Sequence, residues 1–406
     1  MRRIAAISVV MGICLSGAGS GSAKSPDDLD AEGCALWPQP ILQPITLRSP
    51  CSVSFRGQGR SGDGKDERTQ YEIVRAGAWQ RQRWASSSDR LMYANYASGA
   101  TIYVGPDATG EPTLSIELGR RNPRAGPRKT AETISYSGET CRVWITAEPH
   151  TGIGMQHQDC LTEDGIPLFH DYAMNKAGTL GQKIAAGKPI AARMTHVERA
   201  SVGRSEVRPP AALFRWSSWG IVPETSSVDE RGYEVRLEDK GDKVARRPAS
   251  AITLRRLGRT ELMVKRQDGL LHRVKYRSPN RIAEFASYDN GRPQMLRVQS
   301  TSGPMGVMEA RQAARSAPPA ALEESETILG EECRWYDLFP SMQDASEEEC
   351  RTTDGIPLAR RESSWGRQTL IARAISLRRR AVKSVDLLPP GELISAPFWL
   401  TPQSHR

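Results

Sequence analysis

Three histidines and three carboxylates share one stretch of the chain and have the residue types that metal binding or hydrolysis requires: His150, His157, His170, Glu148, Asp159 and Glu163. Imidazole and carboxylate groups bind zinc, and they also transfer protons in hydrolases. A metal site or a hydrolase centre is therefore one hypothesis. A similar segment later in the chain has Phe339, Asp344 and Ala359 nearby instead. We therefore prefer to interpret the histidines as polar side chains on a surface loop.

Two arginines and one aspartate occur twice in the same order, first as Asp164, Arg193 and Arg199 and then as Asp354, Arg373 and Arg379. Arginines on one strand are suited to a basic groove for phosphate or carboxylate groups. The solvated side of a strand is the simpler interpretation, and we prefer it. Each aspartate precedes a glycine, and a turn explains an Asp-Gly pair without catalysis.

Common catalytic motifs are missing from the sequence. It has no His-Glu-x-x-His, no Gly-x-Ser-x-Gly, no phosphate-binding glycine loop and no Cys-x-x-Cys. We therefore predict no catalytic residue, no metal ligand, no cofactor and no enzymatic activity.

The elements that position these residues come from a segment that the chain carries twice, at Gly138–Leu168 and Gly330–Leu358. GETCRVW and CLTEDGIPL in the first copy become GEECRWY and CRTTDGIPL in the second. Their first cysteines are 192 residues apart and their second cysteines 190, and a further match from Ala192 to Leu213 recurs 180 residues later. This period is too long for a solenoid and suits two copies of one domain.

Each copy has the pattern of β structure. Cys141–Thr146 and Arg334–Leu338 are rich in β-branched and aromatic residues, and each Asp-Gly turn precedes Ile-Pro-Leu. Pro167 and Pro357 place that strand at an edge, at its start or at a bulge. Only Met305–Arg315 has a helical pattern. The sequence therefore predicts a mostly β protein with few helices, built from two tandem antiparallel open-barrel or curved-sheet domains.

The N-terminus has the pattern of a secretory signal peptide. Arg2 and Arg3 precede an apolar run, Ile4–Leu15, and small residues end at Ala23. An anchoring helix is the less favoured alternative because the run is shorter than the roughly 20 residues that span a bilayer. A lipoprotein is disfavoured because no small residue directly precedes Cys14. We therefore predict a protein exported to the periplasm, with no transmembrane segment after signal removal.

Removal of the signal leaves six cysteines, which form three sequential pairs: Cys34 with Cys51, Cys141 with Cys160, and Cys333 with Cys350. Many connectivities are open to six cysteines, but a duplicated segment that contains its own pair favours local pairing. Export favours disulfides over zinc or thiol chemistry. We therefore predict three local disulfides.

The mature chain has a modest excess of basic residues. Without Arg2 and Arg3 it has 54 Lys and Arg against 47 Asp and Glu, a formal charge of +7. Such an excess is compatible with contacts to anionic envelope surfaces, although a solvated surface is the commoner meaning. Nucleic acid is not expected as a partner, because no aromatic stacking platform lies beside Arg255–Arg256 or Arg378–Arg380.

The predicted organisation has five parts: a signal peptide (1–23), an N-terminal disulfide-containing segment with a Gly-rich linker (24–70), a first β domain (71–214), a linker (215–230) and a second β domain (231–400). The Gly-rich linker is predicted from the glycines of Arg56–Thr69 among charged residues. Asp171–Lys188 is predicted to be a flexible insertion. Trp216 and Trp219 are expected to dock on a domain rather than bind a ligand.

Two sequence patterns support a resemblance to a known group of domains. Thr-Ile-x-Gly-Glu-x-Cys occurs at Thr327–Cys333, and Cys-x-Thr-x-Asp-Gly-Ile-Pro-Leu occurs twice. In an exported meander protein they resemble uncharacterised periplasmic domains similar to the lipoprotein carrier and sigma-regulator half-barrel group. The resemblance covers roughly residues 70–214 and 230–400. It implies a curved open sheet closed off by helices, with a hydrophobic concave face for acyl chains or a partner protein. It assigns no residue a role.

These observations lead to three functional hypotheses. The leading one is an exported, envelope-associated binding protein for an apolar or amphiphilic ligand, or for an envelope protein, within or between the sheets. The second is a structural or interaction module without a small-molecule pocket. The third is a hydrolase that uses the loop histidines. The expected partner is an envelope component, lipid or protein.

Overall fold

The structure is a computed structural model. It describes residues 54–61, 69–85, 90–96, 98–107, 109–118, 128–147, 155–174, 179–188, 190–223, 232–239, 241, 248–288, 291–308, 318–338, 345–364, 367–380 and 382–400. The predicted signal peptide and the predicted Cys34–Cys51 disulfide lie outside these residues.

Strands make up most of the described residues. In chain order they are β1 (Ser54–Ser61), β2 (Thr69–Ala76), β3 (Trp79–Ala85), β4 (Arg90–Asn95), β5 (Ala100–Pro106), β6 (Pro112–Leu118), β7 (Arg128–Tyr136), β8 (Glu139–Ala147), β9 (Met155–Thr162), β10 (Pro167–Met174), β11 (Ala192–Glu198), β12 (Gly232–Asp239), β13 (Ser250–Leu257), β14 (Thr260–Gln267), β15 (Leu270–Arg277), β16 (Arg281–Ser287), β17 (Pro293–Ser300), β18 (Ala320–Ile328), β19 (Glu331–Asp337), β20 (Ala345–Arg351), β21 (Pro357–Ser364) and β22 (Arg367–Arg380).

The helices are short. They are α1 (Leu180–Ala185), α2 (Arg204–Val207), α3 (304–308) and α4 (Ala396–Leu400), with 3-10 turns η1 (Ala211–Phe214), η2 (Trp216–Trp219), η3 (Ser384–Leu387) and η4 (Gly391–Ile394). The predicted helix Met305–Arg315 is therefore described only as far as residue 308. Within the described part of the chain, no helix has the length and apolarity needed to cross a bilayer.

All 22 strands belong to one open antiparallel sheet, in the order β7-β8-β9-β10-β11-β1-β2-β3-β4-β5-β6-β17-β16-β15-β14-β13-β12-β22-β21-β20-β19-β18. The predicted mostly β, antiparallel open-sheet fold is confirmed. From one end of the sheet to its middle, strands β1–β11 have the same order that strands β12–β22 have from the other end. They meet at β6 and β17, where Ile116 pairs with Leu296.

The two outermost strands of the described sheet, β7 and β18, share an irregularity. The register of β7 on β8 shifts between Lys129 and Thr133, and that of β18 on β19 shifts between Ala321 and Ser325. These positions are 192 residues apart in both cases. A bulge interrupts the row of backbone groups along an edge strand, which opposes pairing with another chain.

Alternation of apolar and polar residues explains how the strands form. In β15, Val274 and Tyr276 are buried whereas Arg273, Lys275 and Arg277 are exposed, as expected for a strand with one solvated face. The β14–β15 hairpin has a positive φ at both residues of its Asp-Gly turn. That turn type matches the twist of the paired strands, so the Asp-Gly pair was sufficient to predict this hairpin.

The buried apolar side chains form three clusters. The central cluster draws on both halves of the sheet and includes Val74, Ile116, Phe285, Leu296 and Trp399. The first lateral cluster includes Phe55, Ile73, Cys141, Cys160 and Met194. The second lateral cluster includes Val235, Cys333, Trp335, Cys350 and Leu358. One core therefore joins the two halves, and each half has a second core around its disulfide.

Each half ends in short turns that place a tryptophan in the central cluster. Trp219 Nε1 donates to the Leu213 carbonyl at 2.9 Å, and Trp399 Nε1 donates to the Leu393 carbonyl at 2.8 Å. The spacing is six residues in both cases. Trp216 and Trp219 are buried in the central cluster, which is the docking expected of them.

The linker interpretation of Arg56–Thr69 is wrong for the described residues, because Ser54–Ser61 is strand β1 between β2 and β11. Its glycines leave room for large side chains of the neighbouring strands. A Cβ on Gly59 would overlap the Tyr71 ring and lie 2.6 Å from the Arg193 carbonyl oxygen, and one on Gly57 would overlap the end of Met194. Glycine here reflects close packing and not flexibility.

The flexible-insertion interpretation of Asp171–Lys188 is also wrong where the structure describes it. Leu180 at the start of α1 is fully buried in the first lateral cluster. Lys183 Nζ lies 2.5 Å from Asp171 Oδ2, and Glu132 Oε1 accepts from Thr179 Oγ1 at 2.7 Å. An apolar anchor and polar contacts at both sides hold this segment against the sheet.

Candidate functional site

Two of the three predicted disulfides are present in the structure. Cys141 in β8 bonds to Cys160 in β9, and Cys333 in β19 bonds to Cys350 in β20. All four cysteines are buried in the lateral clusters. Each bond therefore crosslinks neighbouring strands of a lateral core.

The surface-loop interpretation of the histidines is wrong for His157 and His170. They lie on β9 and β10 with 7% and 5% of their surface exposed, and their rings stack with centroids 5.7 Å apart. His170 Nδ1 lies 2.7 Å from Oδ1 of the fully buried Asp159. Cross-strand pairing produces the contact, because Asp159 lies opposite His170 in the β9–β10 ladder. His150 and Glu148 lie outside the described residues.

The corresponding ladder position in the second half contains a glutamate–arginine ion pair. Glu349 lies opposite Arg360 in the β20–β21 pair, and Arg360 Nε donates to Glu349 Oε1 at 2.7 Å. A structural acid–base pair thus occupies this position twice. Among the described residues, no group of three or more His, Cys, Asp or Glu side chains has the arrangement of a metal site.

The recurring arginine and aspartate come together at the hairpin turn in the first half. Arg199 Nε donates to Asp164 Oδ2 at 2.7 Å, and Arg199 Nη1 donates to Glu139 Oε1 at 2.5 Å. The hydrogen bond from Arg199 holds the pKa of Glu139 below its ordinary value. The guanidinium therefore clamps the β8 start to the Asp-Gly turn between β9 and β10.

The second half repeats this clamp. Arg379 donates through Nη2 to Asp354 at 3.1 Å and through Nη1 to Glu331. The hydrogen bond from Arg379 is the main reason that the pKa of Asp354 is lowered. The basic-groove interpretation of these arginines is wrong, because internal carboxylates engage each guanidinium. The solvated-side interpretation agrees with the exposure of Arg199 and Arg379, which is 44% and 40% of the side-chain surface.

A shallow depression of about 470 Å³ surrounds the first clamp. Its lining residues are Glu139, Thr140, Thr162, Glu163, Asp164 and Arg199. Three carboxylates accompany one guanidinium that is already engaged. The depression is thus unsuited to an anionic ligand.

Arg193 and Arg373 are not part of these clamps. Arg373 Nη1 lies 2.6 Å from Glu326 Oε1 on β18. Arg193 lies opposite Phe169 in the β10–β11 pair. The structure therefore separates the two recurring arginines of each half instead of joining them in one groove.

Sequence reasoning missed a buried arginine, Arg361, in the second half. Its Nε donates to Glu348, its Nη1 donates to Glu324 at 2.8 Å, and its guanidinium carbon lies 4.0 Å from the Trp335 ring centre. Glu348 and Glu349 lie opposite Arg361 and Arg360, respectively, across β20 and β21. These opposite charges on neighbouring strands were the sequence signal that could have revealed Arg361.

Five cations occupy the solvent-facing side of β14, β15 and β17, opposite the central cluster: Lys265, Arg273, Lys275, Arg277 and Arg297. We call this surface the outward basic face. The ladder places them together, because Lys265 pairs with Arg273 and Lys275 lies opposite Glu284. About half of the side-chain surface of Arg273, Lys275 and Arg297 is exposed.

Three carboxylates lie among these cations: Glu117, Glu261 and Glu284. Arg273 Nη2 is 2.9 Å from Glu284 Oε1, and Arg297 Nη2 is 3.4 Å from Glu117 Oε1. Among the described residues of this face, five cations accompany three carboxylates, which gives the face a formal excess of positive charge.

Comparison with known proteins gives little similarity. No protein-family model matches the chain, and no curated protein matches it. Among solved structures, PNGF-II in two crystal forms aligns with a TM-score of 0.28 and 10% sequence identity. The alignment covers 80% of this chain and 61% of that chain. A similarity of this size carries no argument about fold or function.

Proposed function

We propose that this protein is an exported, envelope-associated interaction module that docks on an anionic lipid surface through its outward basic face. The excess of cations on that face carries the proposal. Two disulfides support it, because such bonds are typical of oxidising compartments outside the cytoplasm. The proposed docking needs no catalytic group.

The geometry of the face favours a flat, charged partner. The strands present their cations side by side, while the opposite side chains pack into the central cluster. Each Lys or Arg close to an anionic membrane contributes on the order of 1 kcal/mol to attraction. Salt weakens that attraction, because charges separated by more than about 8 Å are screened at physiological ionic strength.

An apolar ligand within the sheet, as the resemblance to half-barrel carriers implies, has less support. The apolar side chains that would line such a cavity pack against one another in three clusters. The end strands β7 and β18 are bulged, which opposes partner binding by strand addition. The outward basic face is therefore the better-supported docking surface.

Vesicle cosedimentation tests the proposal with two variants of equal net charge. The test variant combines Arg273→Gln, Lys275→Gln and Arg297→Gln. The control variant replaces three exposed cations elsewhere with glutamine: Lys188, Arg259 and Lys383. We expect the unaltered protein and the control to bind phosphatidylglycerol vesicles at low salt, and the test variant to bind about tenfold more weakly or worse.

Neutral phosphatidylcholine vesicles and added salt complete the test. Binding to neutral vesicles as strong as to anionic ones would contradict an electrostatic docking surface. Equal weakening of the test and control variants would show that net charge alone matters. No binding of the unaltered protein to anionic vesicles would rule out a lipid surface, and crosslinking to acidic envelope proteins would follow.

A further inference from the structure

Arg75, next to the last residue of β2, is a buried cation. Only 1% of its surface is exposed, and burial lowers its pKa. Its Nε donates to the Gly77 carbonyl at 3.3 Å, and its guanidinium carbon lies 4.5 Å from the centre of the Tyr96 ring. Its terminal nitrogens, Nη1 and Nη2, are buried and have no hydrogen-bond partner among the described residues. No described carboxylate forms an ion pair with it.

Such an arrangement is unfavourable for arginine in particular. The guanidinium remains charged in proteins, so it cannot escape burial by losing its proton. Buried charges are normally paired with an opposite charge and hydrogen-bonded. Stacking on the Tyr96 ring offsets part of the penalty, but it leaves the N–H groups of both terminal nitrogens without an acceptor.

The second half of the sheet shows what is missing. Arg256 is next to the last residue of β13, and its Nε donates to the Gly258 carbonyl at 3.1 Å, as Arg75 does to Gly77. Glu261 lies opposite Arg256 in the ladder, with 3.2 Å between the charged groups. The residue opposite Arg75 is Gln80. A neutral amide thus stands where the second half has a carboxylate.

Gln80 is itself an incomplete site. It is 1% exposed, its Oε1 accepts from the Tyr96 hydroxyl at 2.8 Å, and its Nε2 is buried with no hydrogen-bond partner in the part of the chain that the structure describes. Directly opposed residues of an antiparallel pair have their Cβ atoms about 5 Å apart on one face. The terminal N–H groups of Arg75 and the amide N–H groups of Gln80 therefore lie on the same face, and no described residue accepts from them.

We propose that Arg75 and Gln80 bind a small carboxylate ion, which supplies the negative charge that Glu261 supplies to Arg256. The fork of guanidinium N–H groups matches the two oxygens of a carboxylate, and the Gln80 amide adds a third donor. Because both side chains are buried, we propose an ion as small as formate or acetate. The inference is independent of the outward basic face, because neither residue lies on it.

Thermal unfolding of the full chain in increasing formate or acetate tests this site at constant ionic strength, with chloride as the balancing anion. A ligand that binds only the folded state raises the midpoint with the logarithm of its concentration. We expect that rise for the unaltered protein and its loss in Arg75→Met. Gln80→Glu supplies the carboxylate within the chain, so we expect a higher midpoint without added ions and no further response.

Glu261→Gln is the matched control, because it creates beside the exposed Arg256 the arginine–glutamine pair that Arg75 forms with Gln80. We expect it to keep the carboxylate response of the unaltered protein. If Arg75→Met does not fold, Gln80→Glu and calorimetric titration with formate decide the question.

Three results would overturn the assignment. The first is a midpoint of the unaltered protein that does not respond to formate or acetate. The second is a response that persists in Gln80→Glu. The third is a phosphate response as large as that to formate, which would mean that the site does not select carboxylates.

Discussion

Gly59 offers the sharpest test of the packing around β1. Its replacement by alanine would push a methyl group into the Tyr71 ring and to 2.6 Å from the Arg193 carbonyl oxygen. Neither neighbour can move easily, since Tyr71 is buried in the first lateral cluster and the carbonyl belongs to β11. Overpacking of this kind typically costs 1–3 kcal/mol, so we expect Gly59→Ala to lower the free energy of unfolding by about 2 kcal/mol.

Two other glycines calibrate that value. A Cβ on Gly57 would meet mainly the flexible end of Met194, so Gly57→Ala should cost less, about 1 kcal/mol. A Cβ on Gly391 has no atom within 4 Å, so Gly391→Ala should be neutral or slightly stabilising. Urea unfolding followed by circular dichroism measures all three variants.

The expected order of stability loss is the test, with Gly59 first, Gly57 second and Gly391 last. In a flexible linker, alanine would stabilise the protein by about 0.4–1 kcal/mol by restricting the unfolded chain. The sign of the Gly59→Ala effect therefore separates the two interpretations. A Gly59→Ala variant as stable as Gly391→Ala would refute the close packing inferred for β1.

Three further predictions concern stability. Replacing Cys141 and Cys160 with alanine should lower the free energy of unfolding in urea by about 3 kcal/mol, because the bond closes a loop across 19 residues; an unchanged midpoint would contradict this. Trp399→Ala should cost about 3–5 kcal/mol, since Trp399 is fully buried in the central cluster, and a loss below 1 kcal/mol would argue against a shared core. The lowered pKa of Glu139 stabilises the fold above the ordinary carboxylate range near pH 4, and that stability is lost as pH falls through the folded pKa. Arg199→Gln should therefore flatten the acid limb of a stability–pH curve, whereas an unchanged limb would show that the clamp contributes nothing.

The parts of the fold that could be predicted depend on local chemistry. Asp268-Gly269 has the turn residues that a tight hairpin requires, and β15 has an alternating pattern that marks one buried face. The local pairing of Cys141 with Cys160 followed from duplication of the segment. These features need only neighbouring residues in the sequence.

Long-range contacts explain the errors. Gly57 and Gly59 resemble linker residues until Met194 and Tyr71 are known to lie over them. His170 resembles a surface side chain until β9 and β10 pair and place Asp159 opposite it. In both cases a polar or glycine-rich sequence was interpreted by composition, whereas packing from a distant strand decided its environment.

The polar pairs are of two kinds: some are the same in both halves of the sheet and support its framework, and one differs between the halves. We infer that the clamps of Arg199 and Arg379 belong to the framework, because both halves use the same arginine, turn aspartate and strand glutamate. Arg75 keeps the backbone contact of Arg256 but faces Gln80 instead of a carboxylate. Arg75 is buried whereas Arg256 is about half exposed, so solvent does not replace the missing counter-charge at Arg75. A bound carboxylate in the first half therefore accounts for this difference between the halves.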